Sequence, residues 1–413
     1  MHSGSPFLFT IHQKPLNMKK VIIILVGIML MSPALVNAQG CMEPSSDGGV
    51  NVIGFIQPQY SLNMDGINSS GGPIMIHGKE VQNTNSFNFY RARLGVTGNI
   101  PYDISYYVMA EYSSFIGGVY LLDAFVTYDR FGPWAKFSLG QFKTPVSLEL
   151  ATPCHKLHTV YRSLVVQQLV GPWRDMGFMA SGGVTLKNYA GLTDHKFFSY
   201  QLAIMNGTGI NQWDNNNSKD IAFRGIISPW KGIDVGGSFR TGQQEPANSK
   251  DGYGTRTTIG GELSVDFFNF LFQGEYLYGY GENLKGTEGG GCGGGGTPDI
   301  DGELERNGWY AMLLYKTPWN LEPVVKYEYF NPKAKADYTL AYDAAVNEVT
   351  TLTLGINYFI NDWSRVQINY MIHNDDNVYT DASGDVKNYS LIHDANGNYF
   401  KQQFVIQVQA ILQ

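Results

Sequence analysis

Arg91 and Arg93 stand two residues apart in Phe89-Tyr90-Arg91-Ala92-Arg93-Leu94-Gly95. On an extended strand that spacing turns both guanidiniums to one face and places Tyr90, Ala92, Leu94 and Val96 on the other. Two fixed cations on one face attract anions; without a nucleophile or base beside them they do no covalent chemistry. Lys136, Arg224, Arg240, Lys326 and Arg365 occupy the same kind of position, and so do Glu111, Asp123, Glu262, Glu275 and Glu328. Such a mixture has two readings: a field that favours one sign of solute, or charges that pair with one another along a wall. Cys154-His155-x-x-His158 is the other cluster that hints at metal or nucleophilic chemistry. It has no adjacent carboxylate to orient the imidazoles, so it reads as polar loop. Asn206-Gly207 and Asn396-Gly397 read as turns. No catalytic residue, metal or cofactor is expected.

The elements that position these charges are strands. Charged residues make up only 16% of the chain, while 48 glycines, 26 tyrosines and 23 phenylalanines favour strands and turns over helices. The formal net charge of -7 argues against a nucleic-acid partner, whose phosphates demand a basic footprint. Val21 to Val36 is the one long apolar run; Met18-Lys19-Lys20 precedes it and Asn37-Ala38 follows. It reads as a secretory signal cleaved after Ala38, which makes residues 1–38 an upstream extension plus signal peptide and residues 39–49 a mobile N-terminus. Cys41, Cys154 and Cys292 provide neither a disulfide framework nor a metal spacing.

From residue 50 to residue 413 apolar residues recur at every second position. Phe404, Ile406, Val408, Ala410 and Leu412 share one face, and Leu352, Leu354, Ile356 and Tyr358 share another. About sixteen such segments begin near residues 50, 87, 103, 119, 134, 176, 196, 219, 232, 254, 268, 305, 322, 348, 364 and 400. Short connections such as 99–102, 130–133, 228–232, 317–320 and 361–362 alternate with long ones near 61–86, 142–175, 206–218, 241–253, 280–304, 331–347 and 374–399. A transmembrane antiparallel up-and-down β-barrel requires this alternation, with tight turns at one rim and long loops at the other. Lipid offers no hydrogen-bond partners, so a sheet that spans it must close. Trp230, Trp319 and Trp363 fall at short turns, where an aromatic girdle would lie. An arginine facing lipid near the bilayer midplane costs about 2–4 kcal/mol, so the alternating charges are expected to point into the lumen. Gly289 to Gly296 reads as an outer loop, because no Lys-Ser/Thr ending makes it a phosphate cradle.

From Phe89-Tyr90-Arg91-Ala92-Arg93-Leu94-Gly95 onward the chain resembles the phosphate-selective porins O and P. Further matching blocks are Leu121-Leu122-Asp123-Ala124-Phe125-Val126-Thr127-Tyr128, Leu139-Gly140-Gln141-Phe142-Lys143-Thr144-Pro145, Asn206-Gly207-Thr208-Gly209-Ile210-Asn211 and Asp214-Asn215-Asn216. The resemblance implies a sixteen-stranded all-β barrel in the outer membrane of a Gram-negative bacterium, a homotrimer, and a constriction loop folded inward. Residues 142–175 are the natural candidate for that loop. Lys143, Lys156, Arg162 and Arg174 there outnumber Glu149 and Asp175 and favour anions. The expected function is passive diffusion of small hydrophilic solutes, including anions such as phosphate, through a water-filled lumen surrounded by lipid. The rivals are a barrel that displays loops for binding or adhesion, and a barrel-embedded hydrolase.

Overall fold

In the computed structural model the described residues are 49–68, 70, 72–101, 103–113, 118–187, 195–244, 254–282, 303–336, 348–375, 378–380, 386–388, 391–392 and 398–412. The signal peptide, Cys41, Cys292, Gly289–Gly296 and Asn396-Gly397 lie outside them.

Sixteen strands form one closed antiparallel barrel. They are β1 (Val50–Ile67), β2 (Thr84–Ile100), β3 (Ile104–Glu111), β4 (Tyr120–Phe131), β5 (Ala135–Lys143), β6 (Arg174–Leu186), β7 (His195–Met205) and β8 (Asp220–Trp230). The circuit continues with β9 (Ile233–Gln244), β10 (Gly254–Phe267), β11 (Phe270–Glu282), β12 (Glu303–Tyr315), β13 (Leu321–Ala336), β14 (Val349–Asn361), β15 (Ser364–Asn374) and β16 (Tyr399–Leu412). Each strand pairs with its neighbour in sequence, and β1 closes the ring by pairing with β2 on one edge and β16 on the other. Gly54 lies opposite both Leu94 and Leu412, so the start of β1 and the end of β16 share a rim. No sheet edge is left for lipid to meet.

Period-two alternation explains the two faces. Leu352, Leu354, Ile356 and Tyr358 of β14 point outward, while Thr351, Thr353 and Asn357 are buried inside. Outward positions elsewhere carry Val, Ile, Leu, Phe and Tyr, an apolar belt that matches acyl chains. Trp230, Trp319 and Trp363 are exposed at the rim of short turns, where indoles suit a membrane interface. At that rim Phe268 and Asn269 take φ 48 and φ 65, the left-handed pair of a two-residue hairpin between β10 and β11.

Two expectations are corrected. The first long connection does not begin at residue 61: β1 continues to Ile67, its outer half paired with β16 as far as Ile67 opposite Tyr399. A small hairpin, Ile74–Ile76 with Lys79–Val81, stands in what remains of that connection. Tyr90 does not face lipid. The register between β1 and β2 shifts between Gln57 and Pro58, with Gln57 opposite Arg91 and Pro58 opposite Phe89, so Tyr90 is the extra residue of a β-bulge. Its ring meets Tyr161 edge-on at 4.9 Å.

Candidate functional site: the constriction loop and its wall

Residues 144–173, between β5 and β6, fold inside the barrel. They form two short helices, α1 (Leu148–Ala151) and α2 (Leu164–Leu169), with a single 3-10 turn at Cys154–Lys156 between them. The loop enters because its side chains are apolar: Val146, Leu150, Leu164, Val165, Val166, Leu169, Val170 and Trp173 are all buried in one cluster with wall residues that include Leu277, Tyr310 and Phe330. Such groups gain by leaving water for the interior of the barrel. Helix α2 lies against β11, β12 and β13.

Polar groups from around the barrel then hold the loop in place. On β11, Glu275 accepts from Ser147 Oγ (2.9 Å) and from the N–H groups of Leu148 (3.2 Å) and Glu149 (3.4 Å), which are free donors at the start of α1. On β13, Glu328 accepts from Leu164 N–H at 2.9 Å, at the start of α2. The strands that follow, β14 to β16, use amides. Asn357 donates to His158 O (2.9 Å), Gln367 to Leu157 O (3.2 Å) and Gln409 to His155 O (3.1 Å), while Asn369 accepts from Val160 N–H (2.8 Å). A loop that crosses the lumen cannot complete its own backbone bonding, and the wall supplies what is missing.

The wall cations read from the alternation are placed as follows. Arg93 pairs with Glu111 (2.7 Å) and points Nη1 at Cys154 Sγ (3.1 Å). Arg224 forks onto Glu262 at 2.6 and 3.0 Å. Arg240 bonds Asp220 through Nε at 2.8 Å and the Gly171 carbonyl at 2.5 Å. Arg174 forks onto Asp123 at 2.9 and 3.2 Å. Lys326, fully buried, lies 2.7 Å from Glu149 and 3.2 Å from Glu328, and so ties loop to wall through charge. Arg162 donates to Glu149 O (2.9 Å) and Thr152 O (2.8 Å) and rests against the Trp173 ring. Lys143 reaches Leu150 O and Thr152 O. Lys136 stands apart near the short-turn rim, 3.7 Å from Asp129, and meets no part of the loop.

Arg91 and Arg365 are arranged differently. Arg91 donates to Gln57 Oε1 (2.8 Å), Gln57 donates to Gln409 Oε1 (2.7 Å), and Arg365 donates to that same oxygen (3.1 Å). Two arginines are thus joined through two glutamines across the seam where β16 meets β1. Sequence reasoning missed these glutamines, which looked like ordinary polar alternates, and it missed Arg256 on β10 and Arg306 on β12. Both arginines are buried on the inner face, and Arg256 shares the parity of Glu262.

Cys154, His155 and His158 do not converge. Cys154 Sγ accepts from Arg93 and Arg162, the His155 ring packs on Phe55 at 5.5 Å, and His158 Nδ1 is 3.4 Å from Glu322. Burial pushes the His155 imidazole down to about 4, since the interior disfavours its charged form. Once the loop undocks, His155 returns to an ordinary value near 6.5 and takes up a proton first. The docked loop therefore keeps its full contribution from this residue above about pH 6.5 and loses it progressively as pH falls toward 4. Protease cleavage of the loop is expected to accelerate between pH 6.5 and pH 5 in the native chain and to do so less in His155→Gln; equal acceleration in both would assign the effect elsewhere.

A closed barrel with an apolar outer belt and an inward loop held by the wall defines an outer-membrane channel. The pattern of the family described as phosphate-selective porin O and P matches residues 76–396, and the chain belongs to that family. It is a porin of the Gram-negative outer membrane, a channel for passive diffusion. Among curated proteins none matches. Solved structures of the same fold include an anion-selective porin from Comamonas acidovorans, at 12% identity over 88% of this chain and 99% of that one, with TM-score 0.54. The outer membrane channel DcaP of Acinetobacter baumannii aligns at 14% identity over 91% and 100%, with TM-score 0.56. The trimer form of OmpT from Vibrio cholerae aligns at 12% over 88% and 99%, with TM-score 0.54.

Proposed function

We propose that this porin prefers anions and works as a homotrimer. The observation that carries the anion preference is the chain Arg91–Gln57–Gln409–Arg365. Gln409 holds the Arg365 guanidinium in place without cancelling its charge, whereas a carboxylate would cancel it. Arg365 has no carboxylate within 4 Å among the described residues, and its burial beside a low-dielectric wall extends its field toward a passing solute. Lys143, Lys156 and Arg162, set against Glu149 in and beside the loop, act in the same sense. A homotrimer is supported by the trimer form of OmpT, one of the channels with this fold. Phosphate is one small anion that such a field would draw in.

Replacing Arg91 and Arg365 together by glutamine is expected to lower the anion-to-cation permeability ratio. The check is the reversal potential across a planar bilayer with a salt gradient. An unchanged reversal potential in the folded double variant rejects the anion preference.

A further inference from the structure

Trp213 is 95% exposed, the most exposed of the large hydrophobic side chains among the described residues. It stands in the long connection between β7 and β8, past the ends of the strands and therefore beyond the apolar belt. An indole left in water to this extent loses the gain that burial would bring, so its place in the chain calls for a reason.

The segment that carries it is held on every side. Gly207 and Gly209 donate their N–H groups to the Asp175 carboxylate on β6. Asn211 donates from its backbone to Gln141 Oε1 on β5 (2.8 Å) and from its side chain to Leu121 O on β4 (2.9 Å). On the far side of Trp213, Asp214 accepts from Asn216 N–H (3.1 Å) and pairs with Lys219, while Asn216 donates to Gln243 O on β9 (3.0 Å) and accepts from Ser218 N–H (2.7 Å). The backbone is thus fixed two residues before the indole and one residue after it. An aromatic ring presented on an ordered backbone binds with little further loss of entropy.

The size and surroundings of this patch select its occupant. Ile210, the other apolar side chain of residues 206–219, packs against the core of the barrel, so the segment offers a single ring. One such ring buries about 150–250 Å², far below the roughly 800 Å² that each partner of a stable protein interface contributes. Gln212, Asp214, Asn215 and Asn217 around it are exposed and polar, which suits no acyl chain. A pyranose ring matches both features: its C–H face has the breadth of an indole, and its hydroxyl rim takes hydrogen bonds from amides. The Gln212 and Asn217 amides take no part in the bonds that fix the segment. Lys219 balances Asp214, so the patch does not repel a phosphorylated sugar.

We propose that Trp213 and the amides beside it bind saccharide on the long-connection rim, the indole stacking on a pyranose ring of lipopolysaccharide core or of a free oligosaccharide. This goes beyond the channel reading and is independent of the anion preference.

The probes are maltohexaose and deacylated lipopolysaccharide core, each titrated into the folded porin in a detergent without a sugar headgroup and followed by saturation-transfer NMR. Saturable binding of at least one is expected. Trp213→Ala should weaken it by about tenfold, the loss of an aromatic contact, and Trp213→Tyr by less. Asp214→Ala keeps the ring but loosens its support, and should also weaken binding by less than Trp213→Ala. Heat-modifiable migration on a gel verifies that each variant is folded. Binding of the core alone assigns the site to the membrane's own glycolipid, and binding of maltohexaose alone to a soluble oligosaccharide; either supports the proposal. No saturable binding of either probe by the native porin, or equal affinity in the native porin and Trp213→Ala, overturns it. Loss of the trimer in Trp213→Ala without saccharide binding by the native porin assigns the ring to a contact between copies and overturns it as well. Conductance in Trp213→Ala is expected to match the native channel, so the site can fail while the channel reading stands.

Discussion

Lys326→Met is expected to release the constriction loop and raise single-channel conductance. In the native chain the Lys326 ammonium is fully buried between Glu149 of the loop and Glu328 of the wall, and Glu275 holds the start of α1 nearby. Removing the cation leaves like charges facing one another in a buried space. Breaking a buried pair from one side costs about 3–5 kcal/mol, which shifts a docked-to-undocked ratio by roughly two to four orders of magnitude. Because Glu149 also accepts from Ser163 N–H and Arg162 is bonded to the Glu149 carbonyl, both helices of the loop lose their reference point together. Cys154 reports the change. It is a buried cysteine in no disulfide, and in a background with Cys41 and Cys292 replaced by serine its alkylation by a maleimide is expected to be slow in the native channel and fast in Lys326→Met. Adding Glu149→Gln to Lys326→Met should restore part of the protection, since it removes one of the stranded charges. Slow alkylation and unchanged conductance in Lys326→Met would show that apolar packing alone holds the loop.

The second large effect separates the two faces of one strand. Leu202 of β7 points outward and is 43% exposed, whereas the adjacent Gln201 points into the lumen. Leu202→Arg is expected to destabilise the folded barrel in lipid vesicles by about 2–4 kcal/mol if Leu202 lies near the midplane, because the guanidinium must enter hydrocarbon or bend the strand to escape it. Gln201→Arg places the same side chain beside Arg224, whose charge Glu262 already balances, and is expected to change stability much less. Denaturant titration in vesicles reads both. Equal losses at the two positions would contradict the assignment of faces.

Most of the barrel was legible because a strand with lipid on one side and a lumen on the other repeats at period two, and because connections alternate short and long. The starts near residues 103, 254 and 364 fall within a residue of β3, β10 and β15. Tyr90 was misread because a bulge changes parity without any mark in composition. The partners of the charges could not be read at all. Lys326 meets Glu149 across 177 positions of sequence because the loop folds inward, and Gln57 meets Gln409 across 352 because the ring closes. Arg256 and Arg306 escaped notice for a different reason: Gly242, Gly279 and Gly281 thin out the alternation around them. The loop itself was placed by its length and by family resemblance. Its buried apolar side chains, which explain why it turns inward, resemble any helical or strand segment when read alone.

The central claim is that this chain encloses a water-filled path across the outer membrane, narrowed by residues 144–173. Single-channel recording of the purified, folded porin in a planar lipid bilayer tests it most directly. The account predicts discrete upward steps of current, linear in small applied voltage, that grow larger in Lys326→Met. A protein that inserts with heat-modifiable, folded migration yet gives no current steps in either form would contradict it.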